Sequence, residues 1–508
     1  MSKITCQVLV VGLGPVGATL SALLADLGVE VLAIDKSSDV YPLPRAGHFD
    51  HEIMRVFQQL GIAEAILSHT RVATGYEFRN AKGEVLFGIG SDGTLASSGW
   101  APSYMFNQPG MERVLRDKLV RTSSVRLQMN AEFKSLETSA RGVQVTVSAQ
   151  TGEFVVDTQY VVGCDGAWSP VREALGIKLV DLHFDEPWLV VDALPKPGCR
   201  LPTINLQICD PARPTTCLPL GPGRHRWEFM MRPGETSEQV LEDSFIQKLL
   251  APWNADVEID RKAVYRFHGL IAEQWRKGRV LIAGDAAHQT PPFAGQGMCA
   301  GIRDASNLAW KLASVLKGDA AADILDTYQV EREPNVRSYI ELAIAMGRVV
   351  CTLDPEIARK RDEEMLRARA AGKQAIPLMA PPPLMGRAVL ASTSASGEPF
   401  PQPIQGRGEE TVRLDDILGP GPWLISRTMP KDLCGVRVTA VTIDDRRLEL
   451  FRATLDEWLS GHNAEAVFVR PDRYVFGVGL PANLIEAWRR TLSSDNHTRA
   501  ETMTPIIS

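Results

Sequence analysis

The stretch Gly12-Leu13-Gly14-Pro15-Val16-Gly17 leaves this chain few folds to choose from. It stands between an apolar strand, Cys6-Gln7-Val8-Leu9-Val10-Val11, and a helix of small and apolar residues over 17–27. A second strand over 29–34 (Val-Glu-Val-Leu-Ala-Ile) then ends at Asp35. Together these make one βαβ unit with a right-handed crossover. Each glycine answers a separate demand. Gly12 permits the tight turn, Gly14 lets the backbone approach a pyrophosphate, and Gly17 lets helix and strand pack closely. The helix N-terminus offers free amides and a partial positive charge to phosphates. Asp35 supplies an acceptor for a ribose. The unit predicts a dinucleotide site, but alone it does not separate FAD from NAD.

The same region invites a wrong reading. From Ile4 to Ala25 there is no charged residue, and Lys3 precedes the run, as in a signal peptide or membrane span. Gly12, Gly14, Pro15 and Gly17 interrupt it, and no small-residue cleavage pattern follows before Asp26, so strand, turn and helix explain it better. No later run approaches a membrane span, and no membrane role is expected. The net charge of −6 offers no basic field for nucleic acid. The 8 cysteines are scattered without a CxxC, which reads as reduced thiols and a cytoplasmic location. With 508 residues, 44% hydrophobic and 23% charged, the chain is an ordinary globular protein of several domains.

Further along, residues 75–90 alternate around Ala81-Lys82-Gly83 as a hairpin, and a helix is expected at 110–120. Strands follow near 125–129, 143–148 and 153–163. Residues 183–270, richer in Pro, Arg and Trp, read as a separate and mostly antiparallel sheet. Residues 279–284 return to the buried-strand pattern, with helices at 301–317 and 321–350. Prolines crowd 376–404, which marks a linker. Strands near 422–426, 436–443 and 466–478 and a helix at 482–494 then make a small α/β domain.

Two later stretches separate the cofactors. Cys164-Asp165-Gly166-Ala167-Trp168-Ser169-Pro170-Val171-Arg172 follows the strand Tyr160-Val161-Val162-Gly163. Gly284-Asp285-Ala286-Ala287-His288 follows a strand ending at Ala283 and runs into Pro291-Pro292-Phe293-Ala294-Gly295-Gln296-Gly297-Met298-Cys299-Ala300-Gly301. In order and spacing the three motifs resemble the class A flavoprotein monooxygenases of the para-hydroxybenzoate hydroxylase fold family, over about residues 4–350. Within that family the 3-(3-hydroxyphenyl)propionate hydroxylases are most similar. That likeness rests on Pro44-Arg45-Ala46, on Cys209 to Pro214, on Trp227 to Thr236 and on Arg303 to Leu312.

The resemblance implies an α/β fold: a Rossmann-like FAD-binding domain, an antiparallel-sheet substrate domain and a C-terminal thioredoxin-like domain. Their expected limits are 1–72, 102–182 and 272–350 for the first, 73–101 and 183–271 for the second, 351–404 for the linker and 405–508 for the last. It implies that Gly12, Gly14, Pro15, Val16, Gly17, Asp35, Lys36 and Arg45 hold the adenosine and pyrophosphate of FAD. It implies that Gln108 contacts the flavin, that Asp165, Gly284 and Asp285 serve the ribityl and pyrophosphate region, and that Pro292, Gly295, Gly297, Met298 and Cys299 meet the ring. Cys299 stands where many relatives carry Asn, so only its backbone amide is expected to act. NADH or NADPH is the implied co-substrate and, with no second Gly-x-Gly-x-x-Gly, it has no Rossmann domain of its own. The implied reaction is hydroxylation of a phenolic ring, a phenolic acid above all, with O₂ through a flavin C4a-hydroperoxide. The C-terminal domain, lacking CxxC, is expected to be structural or to build a homodimer.

On the substrate side, His48 follows the flavin-binding Arg45, and it and His225 are the candidate catalytic residues. His48-Phe49-Asp50-His51-Glu52 lacks HExxH spacing, and no metal is expected. Period 2 puts His225, Trp227, Phe229 and Met231 on one strand face and Arg224, Arg226 and Glu228 on the other. The first face is expected to wall the pocket, with His48, Tyr265, His268 and Pro292 nearby. Arg213 is the expected partner of a substrate carboxylate, against the alternative that these arginines pair with Glu228 and Glu235. A polyketide-type tailoring hydroxylase and a non-catalytic FAD-binding protein are the rival readings.

Overall fold

The computed structural model describes residues 2–150, 152–373, 376, 381–391, 393–406 and 411–493. The expected helix residue 494, the expected domain end at 508, and positions 377–380 and 392 of the proline-rich stretch lie outside these.

The first sheet has 8 strands. Its parallel core runs in the order Val280–Ile282, Gly152–Gly163, Ser2–Val11, Val31–Asp35 and Val125–Met129. The central strand Ser2–Val11 is flanked on both sides, so Val8, Leu9 and Val10 are fully buried, which is why its sequence is continuously apolar. The helix Pro15–Asp26 crosses from the first strand to the second. Val143–Ala149 and Ala131–Thr138 extend the sheet antiparallel beside Gly152–Gly163.

The second sheet also has 8 strands, in the order His288–Gln289, Val257–Ala272, Leu179–Pro195, His225–Met230, Thr215–Pro219, Asn205–Cys209, Gly75–Asn80 and Val85–Gly90. All neighbours are antiparallel except Asn205–Cys209 and Gly75–Asn80, which run parallel. Its two longest strands, Leu179–Pro195 and Val257–Ala272, pair with each other along their length, with register shifts after Asp181 and Asp192. A separate three-stranded sheet is formed by His48–Asp50, Ser103–Phe106 and Thr70–Val72, in that order.

The expected mixed α/β architecture is present. Local differences have physical causes. The helix expected at 301–317 begins at Gly297, because a glycine costs little in the first turn, where amides are unpaired anyway. The expected linker holds the helix Pro355–Ala370, which Asp354 caps by accepting from the amides of Glu356 and Ile357. The segment expected as one strand over 466–478 is a hairpin, Ala466–Val469 and Val475–Gly479.

That hairpin belongs to a four-stranded sheet ordered Thr439–Thr442, Trp423–Ser426, Ala466–Val469, Val475–Gly479. Buried ion clusters fasten it to the rest. Arg470 pairs with Glu331 (2.7 Å) and Asp472 (2.6 Å), and Lys311 pairs with Glu331 (2.8 Å), all fully buried or nearly so. Asp415 takes both Arg55 (2.8 Å) and Arg473 (3.2 Å). Among the described residues no helix is long and apolar enough to cross a membrane.

Candidate active site

At the end of Ser2–Val11, Gly12 takes φ +95°, and a Cβ there would lie 2.5 Å from Cys164 O. A Cβ at Gly17 would overlap Gly12 O. Gly14 is different: a Cβ built there meets nothing within 4 Å, so its side of the turn is open. The helix that follows starts with Pro15 and has no side-chain cap, leaving its first amides unpaired. Asp35 holds the turn in shape, accepting from Leu13 N (2.7 Å) and Ser37 N (2.8 Å). Lys36 is exposed beside it.

Two other segments meet this turn. A Cβ at Gly284 or Gly301 would come within 2.9 Å or 2.5 Å of Val16 Cγ2, so helix, Gly-Asp turn and the helix Gly297–Leu316 touch through glycines. Asp285 projects from this junction with no hydrogen-bond partner among the described residues. Its side chain is open to solvent yet crowded by protein, and this desolvation raises its pKa despite His288 and Arg45 nearby.

The helix Gly297–Leu316 has no side-chain cap and no acidic residue in its first turn. Ala300 N bonds Gln296 O, so the amides of Gly297, Met298 and Cys299 stay free at the positive end of a 20-residue helix. Ahead of it, Gly295 adopts φ +63°, and a Cβ there would sit 2.7 Å from His48 Nδ1. His48 Nδ1 lies 3.0 Å from Gly295 O, and Nε2 lies 2.7 Å from Ser103 Oγ. A carbonyl can only accept, so Nδ1 carries the proton and Nε2 receives the serine hydroxyl. Burial lowers the His48 pKa. His48 is thus a neutral strut holding the Gly295 turn, with both ring nitrogens engaged. Tyr76 holds the same turn from the second sheet, donating to Phe293 O (2.6 Å). Pro292 sits at the start of that turn, and Phe293 packs on Trp188 and Phe267. The Cys299 thiol is buried and burial raises its pKa strongly, so it is a packed neutral group.

Other expected residues act one step back. Gln108 Oε1 accepts from Arg45 N (2.8 Å) and Ala46 N (2.6 Å) while its amide donates to Glu112 (2.7 Å). Its side chain shapes the Arg45 loop. The Arg45 side chain itself is exposed. Asp165 accepts from Ser169 Oγ (2.5 Å) and Val171 N (3.0 Å), which shapes the Asp-Gly loop at the start of the helix Pro170–Ala174.

The wall of the second sheet requires a correction. The alternation along His225–Met230 is present, but the faces are exchanged. His225, Trp227 and Phe229 point away from the first sheet. Trp227 and Phe229 pack with Val240, Ile246 and Leu250 beneath two short helices. His225 lies against Trp227 (4.8 Å) and Cys217 Sγ (3.2 Å), and burial pushes its pKa down to about 4. It is not a pocket residue, and neither are Trp227 and Phe229. Arg213 is also withdrawn: it forms a two-pronged pair with Glu235 (2.7 and 2.5 Å) and donates to Met230 O. Arg224 pairs with Asp260, and His268 lies outward beside Asp185 (3.6 Å). Tyr265 does share the inner face, opposite Trp188, with the Arg261 guanidinium 5.0 Å over its ring.

The inner face carries charges. Arg226 grips Asp192 (2.6 and 2.9 Å) and reaches across to Arg45 O and Pro44 O (both 2.6 Å). Arg261 also bonds Pro44 O. Glu228 stands on the same face, its side chain 8% exposed, with Arg226 Nη1 at 3.7 Å. All six residues of this strand are buried. A charge in a strand buried on both sides must be paired or face an interior site, and that is the signal by which Arg226 and Glu228 stand out from the sequence.

The family described as FAD binding domain matches residues 5–343, and the HcaD C-terminal domain matches 438–494. A probable NADH-specific resorcinol 4-hydroxylase of Rhodococcus jostii (strain RHA1) is 38% identical over 94% of this chain and 92% of that protein. A 3-(3-hydroxy-phenyl)propionate/3-hydroxycinnamic acid hydroxylase of Burkholderia cenocepacia (strain HI2424) is 33% identical over 92% and 93%. Aklavinone-11 hydroxylase, solved with FAD and aklavinone, superposes with a TM-score of 0.78 over 97% of this chain and all of that one, at 24% identity. At that identity it speaks for the fold alone.

Proposed function

We propose that this chain, which belongs to the FAD-dependent aromatic hydroxylases of the para-hydroxybenzoate hydroxylase fold, hydroxylates a single-ring phenol at the expense of NADH and O₂. The observation that carries the reading is a convergence. The open side of Gly14, the unpartnered Asp285 carboxylate and the free amides of Gly297, Met298 and Cys299 gather where three glycine-dependent segments touch. Those groups suit a dinucleotide that carries phosphates at one end and an anion-accepting ring at the other.

In this reading Gly12, Gly14, Pro15, Val16 and Gly17 cradle the pyrophosphate, with Asp35 at the ribose and Lys36 and Arg45 beside the phosphates. Asp285 meets the sugar-alcohol chain, and the amides of 297–299 meet the ring's pyrimidine edge. FAD, when bound, supplies electron transfer from NADH and activation of O₂. The protein's own residues do the rest. Arg226 fixes the Arg45 loop from the second sheet. His48 and Tyr76 fix the turn through Gly295 and Phe293. Trp188, Phe267 and Phe293 close an aromatic wall that excludes water.

Both relatives act on rings bearing a hydroxyl, by their names. The arginines first expected to bind a substrate carboxylate are already paired, which favours a neutral phenol of the resorcinol type over a phenolic acid. The test is a panel of resorcinol, 3-(3-hydroxyphenyl)propionate and its methyl ester with purified yellow protein, scored for stimulated NADH and NADPH oxidation and for hydroxylated product. Resorcinol with NADH is expected to give tight coupling of oxidation to product. Product from the acid but not from its ester would restore carboxylate recognition, and no stimulation by any phenol would remove the reading altogether.

A further inference from the structure

The inner face of the second sheet holds one buried acid that nothing described so far employs. Glu228 lies between two anchors. On one side Arg226 bonds the carbonyls of Pro44 and Arg45. On the other, Tyr76 bonds the carbonyl of Phe293. These are the loops assigned above to the flavin, and Glu228 shares the sheet face from which Arg226 and Tyr76 reach them. We propose that Glu228 is a catalytic residue of the hydroxylation: it receives the hydrogen bond of the substrate's ring hydroxyl and takes its proton. This rests on the proposed phenol hydroxylase function.

Three observations support it. First, the carboxylate is under-partnered. Four of the five N–H groups of Arg226 are used by Asp192, Arg45 and Pro44, and the remaining approach, 3.7 Å from Glu228 Oε1, is beyond hydrogen-bond length. Its cross-strand neighbour Thr216 gives its hydroxyl to Gln207 Oε1 (2.6 Å) instead. No hydrogen bond reaches the Glu228 carboxylate from the described residues. A side chain so buried keeps an unpaired carboxylate only where a ligand or water completes it.

Second, the charges around it poise it. Facing Glu228 are Arg226 on its own strand, Asp192 on Leu179–Pro195, Arg261 on Val257–Ala272 and the Tyr76 hydroxyl on Gly75–Asn80. Burial raises its pKa most and Asp192 adds to this, while Arg226 and Arg261 draw it back, to about 7. A base near neutrality is suited to a phenol. Third, the alternative base is engaged, since both nitrogens of His48 are bonded within the protein.

The step balances simply. The phenolic O–H bond breaks, the proton passes to a Glu228 oxygen, and the electron pair stays on the ring oxygen, where it enriches the ortho and para carbons for attack. Because the base must be ionised, kcat/KM should rise with pH through about 7.

The test uses FAD-loaded wild-type, Glu228→Gln and Glu228→Asp proteins with resorcinol as substrate and 4-nitrophenol as an optical probe. Glu228→Gln is expected to lose roughly 10²–10⁴-fold in kcat/KM, the range for a general base, together with the rise through pH 7. It should keep its FAD content, and its bound nitrophenol should appear as the phenol at a pH where the wild type binds phenolate. Glu228→Asp should retain the pH rise at a reduced rate. A Glu228→Gln protein with normal FAD, an unchanged pH profile and unchanged probe spectrum would overturn the assignment. If Glu228→Gln does not retain FAD, Glu228→Asp decides: loss of rate with no change in profile or probe spectrum would equally overturn it. A wild type that no phenol stimulates would instead refute the functional reading itself.

Discussion

Tyr474 Oη lies 3.0 Å from Glu52 Oε2, a bond across 422 residues of sequence that joins the C-terminal hairpin to the first turn of the helix His51–Gln59. Glu52 in turn accepts from Arg303 (3.0 and 3.2 Å), and Arg303 donates to Asp50 (2.6 Å). Asp50 caps the helix His51–Gln59 and follows His48 by two residues. Arg303 rides on the helix Gly297–Leu316 and bonds Gln296 Oε1 (3.0 Å). The C-terminal sheet is therefore wired to both the His48 strand and the helix whose first amides are free.

Tyr474→Phe removes one hydrogen bond to a charged group and nothing else, at a cost of about 1.5–3 kcal/mol. Urea unfolding should show that loss while FAD content is unchanged. Glu52→Leu should cost more, because Arg303 also loses a partner. The double variant should cost less than the two single effects added, since both delete the same Tyr474–Glu52 bond. Strict additivity would mean the bond contributes nothing in solution.

The glycine turn offers a cleaner separation of folding from binding. Gly17→Ala puts a methyl into Gly12 O and should leave little folded protein. Gly14→Ala meets no atom of the chain and sits at φ −67°, a conformation alanine accepts. Its melting profile without FAD should match the wild type, while its FAD affinity falls because the methyl occupies the path of the phosphates. Wild-type affinity in Gly14→Ala would move the pyrophosphate elsewhere.

That contrast also shows what was legible in the sequence. A turn that needs Gly12 and Gly17 for its own backbone announces itself, so the strand, helix and turn around Gly12 can be read residue by residue. Period 2 told which of His225 to Met230 share a face, but nothing local says which face meets the first sheet. The apolar face is the natural choice for an aromatic pocket, yet it packs into a satellite core under the helices around Val240 and Ile246, and the charged face meets the Pro44–Arg45 loop. The pairs Tyr474–Glu52 and Arg470–Glu331 join positions 422 and 139 residues apart, and no periodicity reports such distances.

Asp285→Ala should weaken FAD binding without weakening the fold. The carboxylate is open to solvent and has no hydrogen-bond partner among the described residues, so its removal takes no contact from the fold. If it bonds the cofactor, the loss is about 1.5–3 kcal/mol, or roughly ten- to hundredfold in Kd. Fluorescence titration of apoprotein with FAD measures it. An unchanged Kd would remove Asp285 from the site.

Acid should loosen the C-terminal sheet through Glu331. Burial by itself would raise that carboxyl's pKa, but Arg470 and Lys311 outweigh it and hold it at about 2. In the unfolded chain a glutamate titrates near ~4.3. The unfolded state therefore binds the proton first as pH falls, and the stabilisation, complete above the unfolded value, drains away toward pH 2. Arg470→Met sharpens the test. At pH 7 it leaves Glu331 buried with Lys311 as its remaining cation, and should cost about 3–5 kcal/mol, the range for breaking a buried pair. At pH 4 the variant's Glu331, released from Arg470, can take up a proton and relieve part of that cost. Urea unfolding of wild type and Arg470→Met at the two pH values should show the gap between them narrowing in acid. A gap equally wide at both would mean that Glu331 does not carry the acid response of this interface.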